Sequence, residues 1–79
     1  MDKEIYSYRY QVFLLVLREM REKAKVTQVD LANWLEISQA VVSKSESGHR
    51  RMDLAELSLW CNACDVPLAK FIENWERRL

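Results

Sequence analysis

The segment SQAVVSKSESGHRR, residues 38–51, concentrates side chains that bind other polar groups. Gln39 and Lys44 can donate hydrogen bonds to neutral acceptors. Arg50 and Arg51 carry guanidinium groups, which pair well with anions such as phosphate. The chemistry indicated by this segment is therefore hydrogen bonding and anion binding.

A second group of residues suggests metal or redox chemistry. Cys61 and Cys64 have C-x-x-C spacing, but a structural zinc site needs four ligands and only His49 could add a nitrogen. A thioredoxin-like pair lies at the start of a helix that follows a strand, and no strand is predicted. We expect both cysteines in a helix core, the alternatives being a metal site, redox sensing or an adventitious disulfide. No metal or cofactor is expected.

His49 has no second histidine or nucleophile nearby, so no enzyme is predicted.

Composition limits the fold and the location. The 79 residues are 49% hydrophobic and include one Gly and one Pro, which favours one domain, 1–79, of helices joined by short turns. No signal peptide or long apolar run is evident, so we expect a cytoplasmic protein without a membrane span. The net charge of zero argues against a nucleic-acid partner. However, residues 1–52 carry +2 and residues 53–79 carry −2, so a locally positive face is plausible.

Apolar periodicity and capping residues predict an all-α chain of five helices, with no strand. Thr27, Ser38 and Asp53 are suitable N-cap residues, and Gly48 suits a left-handed position at a helix end. The first three helices are predicted at about residues 6–25, 28–35 and 38–47. The fourth is predicted from the cap at residue 53 to a turn at 65–66, and the fifth from about residue 67 onward.

Residues 28–47 have the pattern of a helix-turn-helix. Ala32 is small where the second and third helices must cross. The apolar residues expected to hold helix 3 in place are Leu31, Leu35, Ile37 and Val42. Helix 3 fixed in this way can project into a DNA major groove, which is about 12 Å wide.

The segment LREMREKAKVTQVDLANWLEISQAVVSKSESGHRRMDLAELSLWCNACDVPLAKF, roughly residues 17–71, resembles the Cro/C1-type (XRE-like) helix-turn-helix domains. The positions that carry the resemblance are Arg21, Thr27-Gln28, Leu31-Ala32, Ser38-Gln39, Ser43-Lys44, Glu46 and Gly48. The resemblance implies a five-helix lambda-repressor-like domain that binds double-stranded operator DNA, usually as a dimer. It implies a sequence-specific transcription regulator that acts by occupancy, as a repressor or an activator.

The resemblance also implies a role for individual residues. The residues expected at base edges are Gln39, Ala40, Ser43 and Lys44. Those expected at phosphates are Thr27, Gln28, Ser38, His49, Arg50 and Arg51. Arg21 and Glu46 correspond to a structural ion pair between helix 1 and helix 3.

Two residues depart from the family pattern. Glu36 occupies a turn position that is usually Gly, because the backbone there tends to positive φ, and a larger residue costs on the order of 1 kcal/mol. Ser45 replaces a usual Ile or Leu, so we expect thinner packing between helix 3 and the core.

The ends of the chain are more apolar than a monomer of this size needs, which suggests a partner. We expect a homodimer through helix 5, with the N-terminal extension of about residues 1–8 as a further contributor. The alternative is that helices 1 and 5 pack together within one copy. The expected interface residues are Phe71, Ile72, Trp75 and Leu79. The alternative function is a protein-interaction module of the same fold, such as an antitoxin or co-regulator, which the neutral net charge and Trp34 favour.

Overall fold

The computed structural model describes residues 3–79, with side chains from residue 7 onward, and contains five α-helices and no strand within that range. The helices are α1 (Lys3–Lys23), α2 (Gln28–Leu35), α3 (Gln39–Ser47), α4 (Leu54–Ala63) and α5 (Leu68–Arg77). The predicted all-α class is therefore confirmed. The predicted start of helix 1 at about residue 6 was three residues late, and the side chain of Tyr6 lies outside the described residues. None of the described helices is long and apolar enough to cross a membrane.

Capping residues set where the helices of the motif begin. The Thr27 hydroxyl accepts a hydrogen bond from Asp30 N at 3.0 Å, and the Asp30 carboxylate accepts one from Thr27 N at 3.1 Å. Ser38 Oγ accepts from Val41 N at 3.2 Å. Asp53 forms the same reciprocal box at the start of α4. These side chains satisfy backbone donors that a helix start leaves free, as the sequence predicted.

Two residues with positive φ bend the chain on either side of α3. Glu36 adopts φ 58° and ψ 42° at the end of α2, the strained left-handed conformation expected there. Gly48 adopts φ 85° at the end of α3, and a Cβ at this position would lie 2.9 Å from Leu14 Cδ1. Ile37 departs from its expected role because it is 36% exposed and does not lie in the core.

The core lies where all five helices meet. Its members include Leu17, Leu31, Val42, Trp60, Cys61, Cys64 and Phe71, all 6% exposed or less. Both cysteines are free thiols within this apolar cluster, so the expectation of a core role is confirmed. Burial raises the pKa of the Cys61 thiol to about 11, which keeps it protonated and unreactive at neutral pH.

The last helix packs back on the first. Trp75 Nε1 donates a hydrogen bond to the carbonyl of Arg9 at 3.1 Å. Arg78 forms an ion pair with Glu19. These contacts join α1 to α5 and to the residue that follows it.

Candidate nucleic-acid interface

The third helix divides cleanly into an inner and an outer face. Val42 and Ser45 are completely buried, and Glu46 is 3% exposed. These three residues recur at spacings of three and one, so they occupy one side of the helix. The residues of the opposite side are exposed, and they are Gln39, Ala40, Ser43 and Lys44. The structure therefore brings the four expected base-contacting residues together on one open surface.

Glu46 joins α3 to α1 through a buried ion pair. Arg21 Nε donates to Glu46 Oε2 at 2.5 Å, and Arg21 Nη2 donates to Glu46 Oε1 at 3.1 Å. The same guanidinium donates to the carbonyl of Val26 at 2.9 Å. The hydrogen bond to Glu46 raises the pKa of Arg21 above its already high usual value. This two-point contact fixes the angle of α3 against the body of the domain.

Gln28 lies at the first position of α2 and contacts the same carboxylate. Its Nε2 donates to Glu46 Oε1 at 3.0 Å, which holds the half-buried side chain in a defined orientation. The sequence predicted Gln28 at a phosphate but did not predict this contact. No local sequence pattern predicted the contact between Gln28 and Glu46. The two residues are 18 positions apart, so their contact depends on how α2 and α3 cross.

Ser45 is buried on the inner face of α3, where its hydroxyl has a polar partner. Arg50 Nη1 donates to Ser45 Oγ at 3.3 Å and to Glu56 Oε2 at 2.6 Å. The hydrogen bond to Glu56 raises the pKa of Arg50. The buried hydroxyl therefore has a partner, and Arg50 links the end of α3 to the start of α4. The sequence placed Arg50 at a phosphate, whereas its guanidinium here binds a carboxylate of the same chain.

Arg51 lies beside Tyr10 of α1. The Arg51 guanidinium carbon is 4.3 Å from the centroid of the Tyr10 ring. The Tyr10 hydroxyl accepts a hydrogen bond from Met52 N at 3.2 Å. His49, the next expected phosphate contact, is exposed, and its Nδ1 lies 2.8 Å from Ser47 Oγ. The sequence did not single out Tyr10 as part of this surface.

Two comparisons identify the family to which this arrangement belongs. A family model described as a helix-turn-helix domain matches residues 13–71. The solved structure of an XRE-family like protein from Pseudomonas syringae pv. tomato str. DC3000 matches with a TM-score of 0.90 and 34% sequence identity, covering 96% of this chain and 93% of that chain. The chain belongs to the XRE-like helix-turn-helix family. No curated protein sequence is significantly similar to it.

The family makes this XRE-like domain a DNA-binding regulator in general terms. Among the residues that the structure describes, no group of three or more His, Cys, Asp or Glu side chains could hold a metal ion.

One residue of the expected dimer interface is largely buried in this XRE-like domain. Phe71 is 3% exposed, and its ring packs edge-on against Phe13 with centroids 5.7 Å apart. It belongs to the core of a single copy because α5 needs this ring to pack on α1. Ile72 and Trp75 are half-buried, and Leu79 is 38% exposed.

Proposed function

We propose that the domain binds operator DNA sequence-specifically by placing α3 in the major groove. The observation that carries this proposal is the division of α3 into a buried face and an exposed face. Gln39, Ala40 and Lys44 all lie on the exposed face, and their side chains suit adenine, the thymine methyl group and guanine respectively. Ser43 lies on the same face and can hydrogen-bond a base or a phosphate.

The electrostatics of α3 support this orientation despite the neutral net charge. Glu46 is the only carboxylate on the helix, and its side chain is completely buried against Arg21. The exposed face of α3 therefore carries the positive charge of Lys44 without an opposing charge. Arg51 extends the positive surface past the end of the helix, where DNA phosphates would lie.

The test begins with selection of preferred duplexes from a random pool, followed by fluorescence anisotropy. Gln39→Ala and Lys44→Ala should each weaken binding to the selected duplex by about 5- to 150-fold, because a base contact is worth about 1–3 kcal/mol. Asn62→Ala and Lys70→Ala are matched controls, since both residues are exposed on other helices. Equal affinity for all duplexes, or unchanged affinity in both α3 variants, would contradict the proposed readout.

A homodimer would place two copies of α3 on the two halves of a palindromic operator, about 34 Å apart. An apolar groove of about 440 Å³ supports a second copy as the partner. Its apolar lining includes Tyr10, Phe13, Met52, Leu54, Leu57, Ile72 and Trp75, and its charged members are Arg9, Arg51 and Asp53. Because the groove carries both signs of charge, a two-fold contact can pair Arg9 of each copy with Asp53 of the other and leave Arg51 free for DNA. Binding in this form would regulate transcription by occupancy, by blocking or recruiting the polymerase.

A protein-interaction role is a second candidate function, and the exposure of Trp34 favours it. Trp34 is 67% exposed on α2, and large exposed aromatic side chains are enriched where proteins bind one another. Salt dependence distinguishes the two functions. DNA binding should weaken steeply as salt rises, whereas binding of a protein partner through Trp34 should not.

A further inference from the structure

The segment that follows α3 is fixed to α1 by one aromatic side chain. Tyr10 accepts a hydrogen bond from Met52 N at 3.2 Å and lies 4.3 Å below the Arg51 guanidinium. The Tyr10 ring is itself supported by Phe13, with centroids 5.1 Å apart. The backbone and the side chain of this segment are therefore both held by the same tyrosine.

The two arginines of the segment are held in different ways. The Arg50 guanidinium binds the Glu56 carboxylate at 2.6 Å. Arg51 is exposed and has no carboxylate within 4.0 Å among the described residues. A guanidinium that lies over a ring has five N–H donors, and contact with one ring face cannot occupy all of them. Arg51 can therefore contact the ring and an anion together.

We propose that Tyr10 is a positioning residue that holds Arg51 ready to bind a phosphate of the DNA backbone. The proposal rests on the proposed docking of α3, since it places the phosphate beside the end of that helix. An unrestrained arginine loses much side-chain freedom when it binds. Tyr10 removes part of that freedom before DNA arrives, so it strengthens a contact that it does not itself make.

A double-mutant cycle on DNA binding tests this role. Tyr10→Leu should weaken binding to the selected duplex by about 3- to 10-fold in the wild-type background. In the Arg51→Ala background the same substitution should have almost no effect, because the residue that it positions is gone. Arg51→Ala should also lower the salt slope by about 0.9, the value for one phosphate contact. Tyr8→Leu is the matched control, since Tyr8 is an exposed tyrosine on the same helix.

Further measurements separate positioning from stability. Thermal unfolding would show whether Tyr10→Leu lowers the stability of the domain. A second variant, Tyr10→Phe, keeps the ring and removes only the hydroxyl that accepts from Met52 N. We expect Tyr10→Phe to retain most of the affinity. Proton NMR of the free wild-type protein should show ring-current shifts of the Arg51 side chain that Tyr10→Leu abolishes.

Three results would overturn the inference. Equal weakening by Tyr10→Leu in the two backgrounds would show a general structural effect. Absence of the ring-current shift would show that the contact does not form in solution. Failure of the wild-type protein to prefer any duplex would overturn the proposed function and this inference with it, and that result is distinct because it appears before any variant is made.

Discussion

Glu46 accepts hydrogen bonds from both Arg21 and Gln28, and its side chain is fully buried. A buried carboxylate is costly to remove from water, so its partners must compensate for that cost. The position of Arg18, with Nε 3.7 Å from Glu46 Oε1, adds a further positive charge. The carboxylate therefore connects α1, α2 and α3 at a single point.

Replacing Glu46 should destabilise the domain strongly. Glu46→Ala leaves the Arg21 guanidinium largely buried without its carboxylate, so we expect a loss of about 3–5 kcal/mol in the free energy of unfolding. Urea unfolding followed by circular dichroism measures this loss. Glu73→Ala is the control, because its pair with Lys70 is exposed and should be worth less than about 1 kcal/mol. Similar losses in the two variants would contradict the bracing role of Glu46.

The raised pKa of Cys61 has a consequence for alkaline pH. The folded protein holds the Cys61 proton up to about pH 11, whereas the unfolded chain releases it near the ordinary value of 9.0. The unfolded state therefore binds fewer protons between these values, and stability falls as pH rises. The stabilisation is fully present below pH 9.0 and is lost as pH rises to about 11.

Urea unfolding at pH 8, 9, 10 and 11 should show this loss in the wild-type protein. The total loss from Cys61 is on the order of 2 kcal/mol. Cys61→Ala should be less stable at pH 8 because it leaves a cavity, but its stability should fall less over the same pH range. Parallel pH profiles in the two proteins would show that Cys61 does not titrate as expected.

At the scale of the helices, the sequence predicted α2 and α3 closely because their ends have strong local signals. The hydroxyl groups of Thr27 and Ser38 determine where α2 and α3 begin. The lack of a side chain at Gly48 determines where α3 ends. The start of α1 was predicted from apolar periodicity alone, so its boundary was misplaced. The exposure of Ile37 could not be predicted either, because it depends on how far the turn between α2 and α3 projects from the core.

Substitutions at the left-handed residues that end α2 and α3 should change the stability of the domain in opposite directions. Glu36→Gly should stabilise the domain by up to about 1 kcal/mol, because it relieves the strain at φ 58°. Gly48→Ala should destabilise it by more than about 1 kcal/mol, since the added Cβ is both strained and 2.9 Å from Leu14 Cδ1. Thermal unfolding of both variants measures the two effects. Changes of the same sign would contradict the role assigned to the backbone at these positions.

The interface residues illustrate why the candidate site was only partly predictable. The exposed face of α3 follows from helical periodicity, which the sequence displays directly. The partners of Gln28, Arg50 and Arg51 come from helices far along the chain. Their contacts depend on packing angles that local patterns do not specify, and the neutral total charge concealed the burial of Glu46.

At the scale of the whole molecule, the proposed dimer depends on the groove between α1, α4 and α5. Leu54 lines this groove and is 63% exposed, whereas Leu59 on the same helix is 57% exposed and lies outside the groove. The two residues therefore offer a matched comparison.

Sedimentation equilibrium should detect a dimer of the wild-type protein. Leu54→Glu should raise the dimer dissociation constant by about 10-fold or more, because it removes an apolar side chain from the interface. Leu59→Glu should leave the constant unchanged. A greater effect of Leu59→Glu would place the interface elsewhere, and a monomer at all concentrations would exclude a dimer of the free protein.

The contact between Trp75 and the Arg9 carbonyl also affects biosynthesis. The ribosome completes α1 well before α5, the helix that packs against it. Nascent chains that lack α5 therefore expose apolar surface of α1, and they should be sensitive to proteases and to capture by chaperones. The proposed DNA-binding surface, although encoded before α5, becomes fully supported only after α5 has been synthesised.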